Sequence, residues 1–406
     1  MDIGIINESS STGAWRYLGL LVQNMKIVDK NCRITIYYDD LNECPYSLYE
    51  FAKGNDVILF RVFRDKKSWH RKKGIKRILV SIARSPITLL RYISYVTRDW
   101  LKKKKMSQHD VLFFPWPYQS DACNLKKPIF FVPHDLIFSH YFGHHVGNFY
   151  SIEYYEKNKS RLSQFAKSGI AIVSSEYSAK EFQSVFPDYK RNPYIVPLSG
   201  LTTNRHMSKE KIVQILEKYD IHDDYILFPT NSMHHKNIGQ VLGAYYYIKE
   251  KVDIKMIIVG FGVDGVRVLC NSPYYCDHVA NEEQYDIKSL GFLNDEEVFV
   301  LFKNSRLVIN ASLCEAACGS GLDAWSLGIP TAISCIPPYI EQVAKLGVKT
   351  AFFDPRNSMD IAHAVLELLE NPGLAEENAQ ISQKQMEKYT WEEVARQYLE
   401  IFSQKG

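Results

Sequence analysis

Several things are missing from this 406-residue chain, and each absence narrows what it can be. No apolar run reaches the ~18–20 residues that span a bilayer, so no membrane-crossing helix is expected. The first residues, MDIGIIN, read as a strand and carry no basic-plus-apolar secretory leader. Eight cysteines (Cys32, Cys44, Cys123, Cys270, Cys276, Cys314, Cys318, Cys335) are scattered without any C-x-x-C pair. In a long chain with no leader, reduced thiols in a cytosolic protein are the expected state. There is no tandem repeat and no low-complexity tract apart from Lys102–Lys105.

What is present describes a globular protein, 46% hydrophobic and 23% charged. At 406 residues, two domains are the natural division. The net charge of +3 conceals an asymmetry. Between Arg64 and Lys105 fifteen Lys/Arg face two acids, a local +13, which leaves −10 for the remainder. One cationic segment on an otherwise acidic chain points to a partner.

Short β-type runs alternate with helical stretches in two series. The first is MDIGIIN, CRITIYY, DVILFRV, DVLFFPW, PIFFVPH, GIAIVSS and PYIVPLS; the second is YILFPT, IKMIIVG, YDIKSLGF, RLVINASL, TAISC and AFFD. Strand–helix alternation predicts parallel α/β sheets. A polar, helical stretch at about 199–222 separates the series, so the fold class is α/β with two Rossmann-like domains facing across a cleft. We place the first at 1–200, the second at 201–385, and a terminal helix in 386–406. Thr390 is a good N-cap for that helix, and Glu393 three positions later would complete a capping box.

The most informative stretch is 310–337, NASLCEAACGSGLDAWSLGIPTAISCIPP. Glu315 and Asp323 flank a small-residue turn, Gly319-Ser320-Gly321, that should open a helix. A helix N-terminus presents unpaired N–H groups and a partial positive charge, so it receives an anion such as a diphosphate. Carboxylates on either side can accept hydrogen bonds from sugar and ribose hydroxyls. This is the chemistry of a nucleotide-sugar site.

The segment resembles the donor-binding stretch of retaining glycosyltransferase family 4, which has the GT-B fold. Ser312 and Leu313 lead in, Glu315 is the first acid, Asp323 stands eight positions on, and Ala324–Pro330 matches the continuation into a Gly-x-Pro turn. Two departures are plain: the second acid is one methylene short, and Cys318 holds a position usually given to glycine. Further matches cover most of 110–400. The pair His134-Asp135 ends a buried strand, and the resemblance makes His134 a contact to the transferred sugar. Asn231 or a neighbour stands where the family has an arginine, and Lys236, in His-Lys-Asn, matches its diphosphate-binding lysine. A lysine at a helix start is electrostatically misplaced unless an anion is present. The pair Gly260 and Gly262 closes a strand with room for close backbone approach. Phe292 and Leu293 lie in the step that adjoins the nucleotide base, and Gly13 closes a turn that approaches phosphate or simply caps a helix. Val173–Ser178 matches a strand-to-helix step in which Ser175 and Ser178 are helix caps.

The resemblance implies sugar transfer from a nucleoside diphosphate sugar with retention. Glu315 would contact sugar hydroxyls, Asp323 the ribose, and Lys236 with the Gly319, Ser320 and Gly321 turn the departing diphosphate. It also implies a C-terminal helix that crosses back to the first domain. No D-x-D pair occurs, which agrees with chemistry that needs no bound metal, and no cofactor is expected. The polysaccharide mannosyltransferase-like branch, and hence GDP-mannose, is the first expectation for the donor. A lipid-linked or surface glycan, such as a lipopolysaccharide or capsule intermediate, is the expected acceptor.

Residues 75–101 contain two basic amphipathic stretches. Such helices lie in the headgroup region of anionic membranes. Lys72, Lys73, Arg77, Arg84, Arg91, Arg98, Trp100, Lys102 and Lys103 would then dock the protein, peripherally, on the cytoplasmic face of the membrane. A core helix with a solvated basic face is the plainer reading, and a nucleic-acid surface lacks any accompanying motif. Rival functions are a nucleotide-sugar 2-epimerase and a degenerate glycosyltransferase-like membrane scaffold.

Overall fold

A computed structural model describes residues 1–7, 12–39, 46–62, 101–119, 126–140, 151–200, 207–263 and 286–404. The first domain is built from β1 (Asp2–Asn7), α1 (Thr12–Val28), β2 (Arg33–Asp39), α2 (Tyr46–Gly54), β3 (Val57–Val62), β4 (Val111–Phe114), β5 (Ile129–Phe131), α3 (Ile137–His140), α4 (Ile152–Ser168), β6 (Ile170–Val173), α5 (Glu176–Val185) and β7 (Tyr194–Ile195). The second follows α6 (Lys209–Lys218) with β8 (Tyr225–Pro229), α7 (Ile238–Lys249), β9 (Lys255–Val259), β10 (Ile287–Ser289), α8 (Asp295–Lys303), β11 (Leu307–Asn310), α9 (Gly319–Leu327), β12 (Thr331–Ser334), α10 (Pro337–Leu346), β13 (Ala351–Phe353), α11 (Ser358–Glu370), α12 (Pro372–Met386) and α13 (Trp391–Ser403).

Each of the thirteen strand-like runs in the sequence becomes a strand. One sheet runs β3-β2-β1-β4-β5-β6-β7 and the other β10-β9-β8-β11-β12-β13, with every adjacent pair parallel. Parallel sheets are covered by helices on both faces, so their strands are apolar throughout. Accordingly β4, β6, β11 and β12 are buried at every residue. Strand order reverses between β1 and β4 and again between β8 and β11. Ligands of such sheets bind beyond the strand carboxyl ends at these reversals.

The C-terminal helix belongs to the core of the first domain. Trp391, Val394, Tyr398 and Phe402 of α13 are buried with Leu18, Leu21, Ile34, Phe113 and Phe130. The Tyr17 and Tyr398 hydroxyls meet at 2.6 Å. Thr390 caps α13 by accepting from the Glu393 amide, yet Glu393 turns its own carboxylate toward Arg396 and Gln397, so the expected reciprocal box is only half made. The complete box forms at α8 instead, where Asn294 and Glu297 cap each other's backbone. Ser175 caps α5, as read from the sequence, while Ser178 sits inside the helix and bonds the Ser175 hydroxyl.

Among the described residues no helix is long and apolar enough to cross a membrane. Cys32, Cys314, Cys318 and Cys335 are thiols outside any disulfide. Lys72, Lys73, Arg77, Arg84, Arg91, Arg98 and Trp100 lie outside the described residues, as does the Ser9–Ser11 part of the first turn. Lys102 and Lys103 fall in a helical stretch at 101–106.

Candidate functional site

A cleft of about 410 Å³ opens between the domains at the β8/β11 reversal, within the size range of small-molecule sites. Its floor comes from the ends of β8, β9 and β11 and the first turn of α9, and its roof from α1.

The loop from β11 to α9 carries the chemistry and is braced at almost every residue. Asn310 donates to the Ser320 hydroxyl at 2.8 Å and accepts from the Ser312 amide and the Tyr339 hydroxyl. The Leu313 amide donates to the His235 carbonyl, and the Cys318 amide to Gln342. Cys318 precedes α9 with no side-chain cap on the helix, so the first turn of α9 faces the cleft through Gly319 and Ser320. A Cβ on Gly321 would come within 2.6 Å of the Cys318 sulfur, which explains the small residue there.

Glu315 forms an ion pair with Lys236 and lies 3.4 Å from His235 Nε2 and 3.3 Å from the Ser312 hydroxyl. Burial would raise its carboxyl, but the charge of Lys236 and the hydrogen bond from His235 prevail and hold it at about 2. Glu315 is thus ionised at neutral pH, an acceptor for hydroxyl hydrogens and no proton donor. Lys236 rides on a single 3-10 turn, His234–Lys236, that ends at Asn237 with φ 61°. Asparagine tolerates this left-handed conformation, and its side chain bonds the Pro355 carbonyl at 2.6 Å. The anion that a lysine at a helix start calls for is supplied here by Glu315.

The opposite domain reaches this loop from two directions. Asp135 accepts from the Ala316 amide at 3.0 Å. Burial and the neighbouring Glu315 charge push its carboxyl up to about 6. From α1, Arg16 Nη2 donates to both oxygens of Asp323 at 2.8 Å.

Of the residues singled out from sequence, Gly13, Asn231, Lys236, Phe292, Leu293, Glu315, Gly319, Ser320 and Asp323 line one cleft. Gly262, Cys318, Gly321 and His134 do not line it. Gly262, at φ +75°, turns the chain against Ser232. Cys318 is wholly buried, and burial pushes its thiol up to about 12. His134 donates from Nε2 to the Pro115 carbonyl at 2.8 Å and packs between Trp116 and Tyr17, whose ring does line the cleft. Burial lowers His134 to about 4, so it is neutral at neutral pH. Asp323, expected to be open to a ribose, is held by Arg16. The sequence reading passed over Arg16, Asn310, Tyr339 and Trp391. Arg16 carried a signal: a cation near a helix N-terminus, misplaced in the same sense as Lys236. The others are named only by packing. Among the described residues, no group of three His, Cys, Asp or Glu is placed to hold a metal ion, and His140 pairs with Glu181.

Two parallel-sheet domains facing across a cleft at a strand reversal define a GT-B α/β fold. Within it, residues 209–388 match the family Glycosyl transferases group 1. An uncharacterized glycosyltransferase of Methanocaldococcus jannaschii is 26% identical over 202 residues, covering 48% of this chain and 50% of that protein. The chain thus spans about half the length of that relative. The fold is shared end to end with Anabaena HepE in complex with UDP and glucose (TM-score 0.70, 13% identity, 100% of each chain). It is shared equally with WaaG, a glycosyltransferase involved in lipopolysaccharide biosynthesis (TM-score 0.68, 13% identity, 98% of this chain and 99% of that one).

Proposed function

We propose that this protein is a retaining hexosyltransferase that takes a nucleoside diphosphate sugar into the interdomain cleft. One observation carries the reading: Glu315, Lys236, Asp323 and the open first turn of α9 converge on a single cavity at the switch point of the second sheet. Ionised Glu315 accepts from sugar hydroxyls, while Lys236 and the amides of α9 face the diphosphate. Negative charge grows on that leaving group as the glycosidic bond breaks, and preorganised donors aimed at it lower the barrier. Ligand binding would move Lys236 from its ion pair with Glu315 to a position shared between carboxylate and phosphate. In this reading the charge work falls to Lys236 and the helix rather than to a metal ion, and a chelator leaves activity unchanged.

GDP-mannose is our first candidate for the donor, by resemblance; uridine donors are the second, since HepE is complexed with UDP and glucose. The acceptor is a lipid-linked or surface glycan, reached from the membrane face through the basic segment at 64–105. The likeness of fold to WaaG, involved in lipopolysaccharide biosynthesis, supports that choice. A thermal-shift screen of GDP-, UDP- and dTDP-sugars tests the donor site. One class should raise the melting temperature, and Lys236→Ala should abolish the ligand-induced rise. An undiminished rise in that variant would remove the diphosphate assignment.

A further inference from the structure

The cleft lining contains two cations and two carboxylates, and each cation sits on one carboxylate. The Lys236–Glu315 pair lies within the second domain, whereas Arg16–Asp323 joins the two. Arg16 projects from α1, whose neighbours Ala14, Trp15, Tyr17 and Leu18 are buried in the first core. Asp323 lies on α9, with its side chain only 9% exposed. One guanidinium nitrogen bridges both carboxylate oxygens. The other interdomain ion pair among the described residues, Lys345–Glu176, is on the surface, where solvent screens it. Further contacts across this junction include hydrogen bonds at another edge: Asp135 and Ser174 to the Ala316 backbone, and Glu341 to the Glu176 and Tyr177 amides.

We propose that Arg16 is a positioning residue of the cleft: an interdomain latch that seats on Asp323, holds the domains together, and neutralises the carboxylate so that an anionic ligand can lie beside it. The ligand class, a nucleoside diphosphate, rests on the reading given under Proposed function. Without Arg16, a nearly buried carboxylate would face the ligand's phosphates stripped of its guanidinium partner, and like charges at close range repel strongly away from bulk water.

Calorimetric titration of uridine and guanosine, and of their mono- and diphosphates, into the full chain reads the charge role. The proteins compared are the parent, Arg16→Ala, Arg16→Gln, Asp323→Asn and the Arg16→Ala/Asp323→Asn double variant. Both Arg16 variants should weaken diphosphate binding by about tenfold or more, and nucleoside binding by about twofold at most. The double variant should return to within about threefold of the parent, because its cleft is again uncharged at this point. A diphosphate affinity unchanged by either Arg16 variant, or a double variant as weak as Arg16→Ala, overturns the charge role. Small-angle scattering of the unliganded proteins reads the latch: the radius of gyration should grow in both Arg16 variants and in the double variant. Superimposable curves overturn it. A parent protein that binds no nucleotide at all refutes the donor reading and the charge role with it, and the scattering alone then decides the latch.

Discussion

At the residue scale, the floor of the cleft is a set of buried charges whose balance is easily tested. Removing one member of a buried ion pair leaves the other unsolvated, at a cost of about 3–5 kcal/mol, while replacing both by neutral groups is often tolerated. Lys236→Ala should therefore lower unfolding stability by roughly that amount, and Lys236→Met with Glu315→Gln should recover most of it, as measured by denaturant titration. Asp135 supplies a pH dependence. Its folded value of about 6 lies above the ordinary aspartate range, so its ionised form is disfavoured in the folded protein. That destabilisation is present above pH 6 and fades as pH falls toward the ordinary range. Asp135→Asn should then gain stability over the parent between pH 4 and pH 7, by on the order of a few kcal/mol. A stability difference flat across that window would show that Asp135 is not raised. Glu315 and His134 act in the opposite sense. The lowered Glu315 contributes stability above its unfolded value that is lost as pH falls toward 2. The lowered His134 contributes stability above about 6.5 that is lost as pH falls through 4.

At the element scale, the loop from β11 to α9 depends on how its flanking elements end. Gly260 closes β9 at φ +141°, and a Cβ there would meet the Thr230 carbonyl at 1.6 Å. Gly260→Ala should force β8 and β9 apart beneath the cleft and reduce the nucleotide-induced thermal shift along with the melting temperature. The two capping sequences make a controlled pair. Asn294 takes part in a reciprocal box and Thr390 in a one-way cap. Asn294→Ala should cost about 1–2 kcal/mol and Thr390→Ala about 0.5–1 kcal/mol, read from urea midpoints. Equal costs would mean that the Asn294 side chain caps no better within the reciprocal box than Thr390 does alone; Glu297 stays in place in that variant, held through its other oxygen by Lys218 and Tyr219.

At the scale of the whole molecule, the last helix stabilises the first domain, and the cleft needs both domains seated. Phe402, near the C-terminus, is fully buried against Phe113 and Phe130 of the first sheet. Phe402→Ala should cost about 3–5 kcal/mol, as large-to-small core changes do. The loss should appear in unfolding of the first domain even though the residue follows the second in sequence. Gly200 is pressed against the second domain, where a Cβ would lie 2.1 Å from the Leu322 carbonyl of α9. Gly200→Ala would therefore push α9, and Asp323 with it, away from α1.

The sequence by itself determined the two parallel sheets, because strands buried on both faces must be apolar along their whole length and read as such. It also determined Glu315, Lys236 and the α9 turn, because a small-residue turn between acids and a misplaced cation leave local traces. Tertiary structure alone decided what those charges touch. No local pattern could pair Arg16 with Asp323, 307 positions apart, or bring Asp135 to the Ala316 amide. Nor could it set Cys318 and His134 back from the cleft they were expected to enter. Burial and pairing across two domains are properties of the assembled chain, since they depend on packing between residues far apart in sequence.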